Sequence, residues 1–171
     1  MKNCFENVID DSEALDVAHV RRIVFSSGKV YFDLLKKRRE AGMRDVALVR
    51  IEQLYPFPTE EYEAVLRRFP NAHEVVWCQE EPQNQGAWYQ IRHQLDRPLA
   101  LARRELLYAG RAPAAAPATG IAKIHDAEQA ALIDAALRSS TREESARETT
   151  RLSATPTATA PAAAAAIRKS S

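Results

Sequence analysis

Glycine is scarce. Five occur in 171 residues, at 28, 42, 86, 110 and 120, too widely scattered to assemble the glycine-rich loop that cradles a dinucleotide or a triphosphate. Cysteine is scarcer: Cys4 and Cys78 are the only two. A disulfide framework in a small secreted chain needs more, so the pattern fits a reducing compartment. Charge of either sign is not in surplus, with 24 Lys and Arg against 23 Asp and Glu, which leaves no broad field to steer the chain toward nucleic acid or an anionic membrane. No run approaches the roughly 18 consecutive apolar residues of a membrane span. The opening MKNCFENVIDDSEALD carries acidic residues where a signal peptide needs an apolar stretch and a mitochondrial presequence avoids them. These absences imply a cytoplasmic location in a bacterium, or second the mitochondrial matrix, and partners that are neither nucleic acid nor membrane.

What is present alternates. VRRIVFSSG (20–28) reads as a strand that meets glycine, and KVYFDLLKKRREAG (29–42) as a helix with Val30 and Leu34, then Tyr31 and Leu35, at i,i+4. Lys36 to Arg39 suit its carbonyl end, and Gly42 suits a left-handed cap. DVALVRI (45–51) is a second strand and LYPFP (54–58) a proline-fixed turn. Thr59 is then the expected N-cap of a helix lined by Tyr62, Val65, Leu66 and Phe69. HEVVWCQ (73–79) is a third strand, EEPQNQG (80–86) a loop, Trp88, Ile91 and Leu95 one face of a helix, ELLYAG (105–110) a fourth strand, and HDAEQAALIDAAL (125–137) a last helix. Strands alternating with helices predict an α/β fold of three layers, a mostly parallel sheet with helices on both faces. The expected divisions are a lead-in over 1–19, the α/β domain over 20–138 and a tail over 139–171. That tail is first SSTREESARETTR, then LSATPTATAPAAAAA, too polar and then too low in complexity to pack, so disorder is expected there.

In open parallel sheets, ligands and partners meet the loops at the carboxyl ends of the strands. SSGKVY (26–31) brings Gly-Lys to a helix start but departs from a phosphate loop at Ile23 and Val30. Its plainer reading is a tight turn at Gly28 with Ser26 or Ser27 bonding the first amides of the helix. Glu80 and Glu81 are paired carboxylates of the kind that divide acid and base roles. Neighbouring residues at a strand end point apart, however, and bonding to an adjacent segment is the plainer role, with Gly86 permitting a turn and Trp88 covering the core. Arg103, Arg104 and Arg111 are either an anion-binding cluster or solvated charge. Cys78, inside an apolar strand, is expected to be an inert buried thiol. The histidines at 19, 73, 93 and 125 lack the spacing of metal ligands.

Four blocks, SSGKVYFDL (26–34), VRIEQLYPFP (49–58), VWCQEEPQNQGAW (76–88) and YAGRAPAAAPATG (108–120), closely resemble the C-terminal domain of the dehydrogenase component of the 2-oxoglutarate dehydrogenase complex. The resemblance runs from about Phe5 to Leu137. It implies a fold like the C-terminal domain of transketolase. It also implies a family reaction in which thiamine diphosphate and Mg²⁺ decarboxylate 2-oxoglutarate and the succinyl group passes to the lipoyl arm of the succinyltransferase component. The family's cofactor and catalytic residues lie upstream and have no matching position here, so no catalytic, cofactor-binding or metal residue carries over. The implied role is a fragment that completes and supports neighbouring dehydrogenase domains, inactive alone and prone to self-association. Glu80, Glu81, Asn84, Gln85, Trp88 and Arg111 are its expected contacts with those domains or a second subunit. The alternatives are a stand-alone module that binds a nucleotide or acyl-CoA effector through Lys29 and Arg111, and a non-functional gene fragment.

Overall fold

Alternate residues of a strand point to opposite faces of its sheet. Strands apolar at nearly every position therefore need cover on both sides. The computed structural model describes residues 5–116 and 122–138, and supplies that cover. Strands β1 (Val8–Ile9), β2 (Arg22–Ser26), β3 (Val46–Ile51), β4 (Glu74–Pro82) and β5 (Glu105–Arg111) form one sheet in the order β1-β3-β2-β4-β5. Strands β2 to β5 pair in parallel, and β1 lies antiparallel on β3. Helices α1 (Val30–Glu40) and α4 (Ala122–Leu137) cover one face, and α2 (Thr59–Arg68) and α3 (Trp88–Ala102) cover the other.

The alternation along each strand sorts the core into two layers. Ile23, Phe25, Val49, Val75 and Trp77 pack under α2 and α3, whereas Val24, Leu48, Val76 and Cys78 pack under α1 and α4. Each such side chain contributes about 1.5–3 kcal/mol by leaving water. The three layers expected from the sequence are present. Gly28 and Gly42 take left-handed conformations at φ 72° and 63° on either side of α1, as their positions predict. The last helix is fixed by a buried arginine of β2. Arg22 pairs through Nε with Glu74 at 2.8 Å and donates from Nη1 to the carbonyls of Ala135 and Ala136 at 3.2 and 2.9 Å. Those are unsatisfied C-terminal carbonyls of α4, where a cation also complements the helix dipole.

The segment read as a lead-in contributes an edge strand and a buried anchor. Asp11 accepts from both terminal nitrogens of Arg38, with Nη2 to Oδ1 at 2.9 Å, and from the Leu48 amide at 2.7 Å. Arg38 also donates to the Val46 carbonyl at 3.0 Å. Arg38 is fully buried and the Asp11 side chain is 1% exposed, so one ion pair clamps the N-terminal segment, α1 and β3 together.

Several local expectations are corrected. Thr59 is the first residue of α2 rather than its cap, and no side chain caps that end; the chain is turned instead by Phe57, whose carbonyl accepts from the Thr59 amide at 2.9 Å. Neither Ser26 nor Ser27 caps α1, because Ser26 is the last residue of β2 and its hydroxyl is buried. Glu80 and Glu81 belong to β4, which resumes its ladder at Pro82 opposite Arg111 after a bulge. Arg103 and Arg104 precede β5 and Arg111 ends it, so a seven-residue strand separates them by roughly 20 Å and they form no cluster. The predicted tail over 139–171 lies outside the described residues. Among those residues no helix is long and apolar enough to cross a membrane.

Candidate functional site

The carboxyl ends of β2, β3 and β4 surround an open cleft of about 720 Å³, with Trp77, Gln79 and Ile91 along its floor and Lys29, Tyr55, Glu81 and Gln85 around its mouth. Its floor is organised by Gln79, the one side-chain amide of β4, which follows the apolar run VVWC (75–78). Gln79 Oε1 accepts from Trp77 Nε1 at 2.9 Å and from the Trp88 amide at 3.1 Å, while Nε2 donates to the carbonyls of Glu81 and Pro82 at 3.2 Å each. All the bonding capacity of the buried amide is used, as burial of a polar group requires. Gly86 makes room for it: a methyl group there would lie 2.2 Å from Gln79 Nε2. Close approach, not a glycine-only turn, is what this position demands.

The six residues expected at partner surfaces divide. Asn84 pairs with the loop after β5 as a second backbone would, donating to the Ala114 carbonyl and accepting from its amide, both at 3.0 Å. Gln85 donates to the same carbonyl at 2.7 Å. Trp88 is buried, with its ring 5.0 Å from that of Tyr108, so it covers the core and is not a surface contact. Arg111 is also turned inward. Its Nη2 meets His125 Nδ1 at 3.0 Å and Gln129 Oε1 at 3.3 Å, and its Nε is 3.4 Å from Glu128. Glu80 receives Lys29 at 3.1 Å and Gln129 at 3.2 Å, and Gln129 in turn reaches Asp33 at 3.1 Å. Glu81 is exposed on the lip of the same cleft. Both carboxylates line the cleft, but only Glu80 is engaged by a cation, and both cations proposed for an effector, Lys29 and Arg111, have acidic partners within the chain.

Cys78 is buried under α1 and α4, as expected. Burial, with a smaller contribution from the Glu80 charge, pushes its thiol from 9.0 up to about 12. The unfolded chain then releases this proton first, so the stability tied to the protonated thiol is complete below about pH 9 and is lost as pH rises from there toward 12. The expected result is no alkylation of the Cys78 peptide by iodoacetamide in the native chain at pH 8.5, rapid alkylation in urea, and a urea midpoint that falls between pH 9 and 11. Ready native alkylation at pH 8.5 contradicts this burial.

Two features escaped the sequence reading. Gln79 carried a signal, a lone amide between apolar and acidic residues in VVWCQEE. The other is Tyr55, 93% exposed in the loop after β3, whose place as the most solvent-exposed large side chain of the cleft mouth has no periodicity to announce it.

This geometry can be set beside known proteins. A family model described as 2-oxoglutarate dehydrogenase C-terminal matches residues 1–137. The 2-oxoglutarate dehydrogenase E1 component of Cupriavidus necator is 47% identical over 135 residues, which are 79% of this chain and 14% of that protein. The E1 component of Azotobacter vinelandii is 50% identical over 131 residues, 75% of this chain and again 14% of the relative. The chain thus spans about 14% of the length of these curated relatives. Among solved structures, one titled split gene transketolase, inactive beta4 tetramer, is similar at a TM-score of 0.47 and 17% identity over 68% of this chain and 39% of that one. With every described strand and helix inside the matched span, the chain belongs to the 2-oxoglutarate dehydrogenase C-terminal family.

Proposed function

We propose that the chain acts as the C-terminal module of a 2-oxoglutarate dehydrogenase E1 enzyme, a structural and interaction domain that completes the enzyme without supplying its reacting groups. The observation that carries this reading is the family match over 1–137. The engagement of the strand-end side chains supports it. Glu80, Asn84, Gln85, Trp88 and Arg111 are all bonded or packed within the chain, which suits residues that shape a surface better than residues that transform a substrate. The enzyme as a whole would decarboxylate 2-oxoglutarate and pass the succinyl group to a lipoyl succinyltransferase.

Thiamine diphosphate with Mg²⁺, which supplies the carbanion chemistry of such a decarboxylation, does not fit the donors described here. Among the described residues no three His, Cys, Asp or Glu side chains come together as a metal ion would require, and Glu80, at the cleft, already receives Lys29 and Gln129. In this reading the cofactor is held by other domains of the enzyme. The test combines the purified chain with an A. vinelandii E1 polypeptide that ends before this module. Recovery of 2-oxoglutarate-dependent ferricyanide reduction to at least tenfold above the shortened polypeptide is expected. Absence of both a complex in sedimentation and any recovered activity defeats the reading.

A further inference from the structure

The loop after β3 is anchored at both ends and bare in the middle. Leu54 and Phe57 pack against the core under α2 and α3, Phe57 edge-on to Tyr62 with ring centroids 5.6 Å apart. Gln53 ties the loop to itself by donating to the Pro56 carbonyl at 2.8 Å. Between these anchors Tyr55 stands 93% exposed. It borders two hollows at once, the cleft and a second hollow of about 310 Å³ lined by Leu54, Phe57 and Ile91. An aromatic ring held out on an anchored loop loses little freedom on binding, because it has only two rotatable side-chain bonds and a backbone already fixed. Across the cleft, Glu81 is exposed and has no ion pair among the described residues.

We infer that the Tyr55 ridge and Glu81 lip form the docking surface for the preceding part of the dehydrogenase. The occupant is an apolar recess that takes the Tyr55 ring, with a hydrogen-bond partner for its hydroxyl and a basic side chain facing Glu81. This rests on the proposed role as a C-terminal module. The choice of occupant follows from length: relatives that match 1–137 devote 14% of their sequence to it, so this module has a large body of the same polypeptide to meet. The strand-end side of the sheet is where an aromatic ridge, two hollows and an unpaired carboxylate coincide. The exposed Leu101, 90% exposed near the C-terminal end of α3, lies roughly 15–20 Å along that helix from the cleft and has no comparable surroundings.

The test has two arms. In the first, hydroxyl-radical labelling compares the free 171-residue chain with a chimera in which the whole chain replaces the C-terminal module of the A. vinelandii E1 component. Tyr55 labelling is expected to fall at least fivefold in the chimera while Leu101 labelling is unchanged. In the second, Tyr55→Ser and Glu81→Lys are titrated against the shortened E1 polypeptide, with an expected loss of affinity of tenfold or more and melting temperatures within about two degrees of the parent. Equal Tyr55 labelling in both proteins overturns the inference. So does protection of Tyr55 in the free chain that grows with its concentration, since that assigns the surface to a second copy. Failure of the parent chain to bind or restore the shortened enzyme, with Tyr55 protected in the chimera, counts against complementation by a separate chain and upholds the surface.

Discussion

Replacing Asp11 by asparagine lowers the free energy of unfolding by about 3–5 kcal/mol, because removing one member of a buried ion pair strands the other without its countercharge. Arg38 is fully buried and bonded to both Asp11 oxygens. The same carboxylate also accepts the Leu48 amide, so the substitution disturbs a backbone donor of β3 as well as a cation. Glu13, 3.3 Å from Arg38 Nη2 with its side chain 21% exposed, offers partial compensation. Urea unfolding followed by circular dichroism measures the loss. The double variant Asp11→Leu with Arg38→Met is expected to recover part of it, since apolar replacement of both partners is often neutral or better. A loss below about 1 kcal/mol for Asp11→Asn shows that the pair is solvated and that the N-terminal segment is not clamped.

The second large effect belongs to Gln79. Gln79→Met keeps the length of the side chain and deletes four hydrogen bonds, which leaves Trp77 Nε1, the Trp88 amide and two carbonyls without their partner. Each buried group left unsatisfied costs about 1–3 kcal/mol. Water entering from the cleft relieves some of this, so the net expectation is about 3 kcal/mol. The bulge between Cys78 and Pro82 should loosen with it, and amide exchange at Trp88 and Gly86 should accelerate at least tenfold while exchange in β2 and β3 is unchanged. Stability within about 0.5 kcal/mol of the parent excludes the buried network, because substitutions away from such features stay in that range.

The repeated strand and helix pattern was legible because both periods are strong in this sequence. VALVRI and EVVWCQ alternate between two covered faces, and Tyr62, Val65, Leu66 and Phe69 fall on one helical stripe. The division into two core layers follows from that alternation alone. The edge strand did not show, since two residues, Val8 and Ile9, carry no period. Asp11 did not show either: its role depends on Arg38, 27 positions away, and an acidic residue in an acidic segment reads as solvated. For the same reason Arg38 passed as one of four cations suited to a helix end. Around the cleft, the sequence named the residues at the strand ends but not which of them turn inward. Trp88 and Arg111 have side chains large enough to serve either a surface or an interior, and only the packing of Tyr108 and the position of His125 decide between them.

The fork of Arg22 has a consequence for how the chain is made. Its carbonyl acceptors on α4 lie 113 and 114 positions further along the sequence. During synthesis β2 leaves the ribosome long before them, and the arginine that will be buried beside β4 is without its acceptors until the last helix has emerged. Domains fold as units as the polypeptide is extruded. This one is completed from its far end: a chain interrupted before residue 136 keeps the Arg22–Glu74 pair between β2 and β4 but lacks the α4 carbonyls that the other arm of the guanidinium meets.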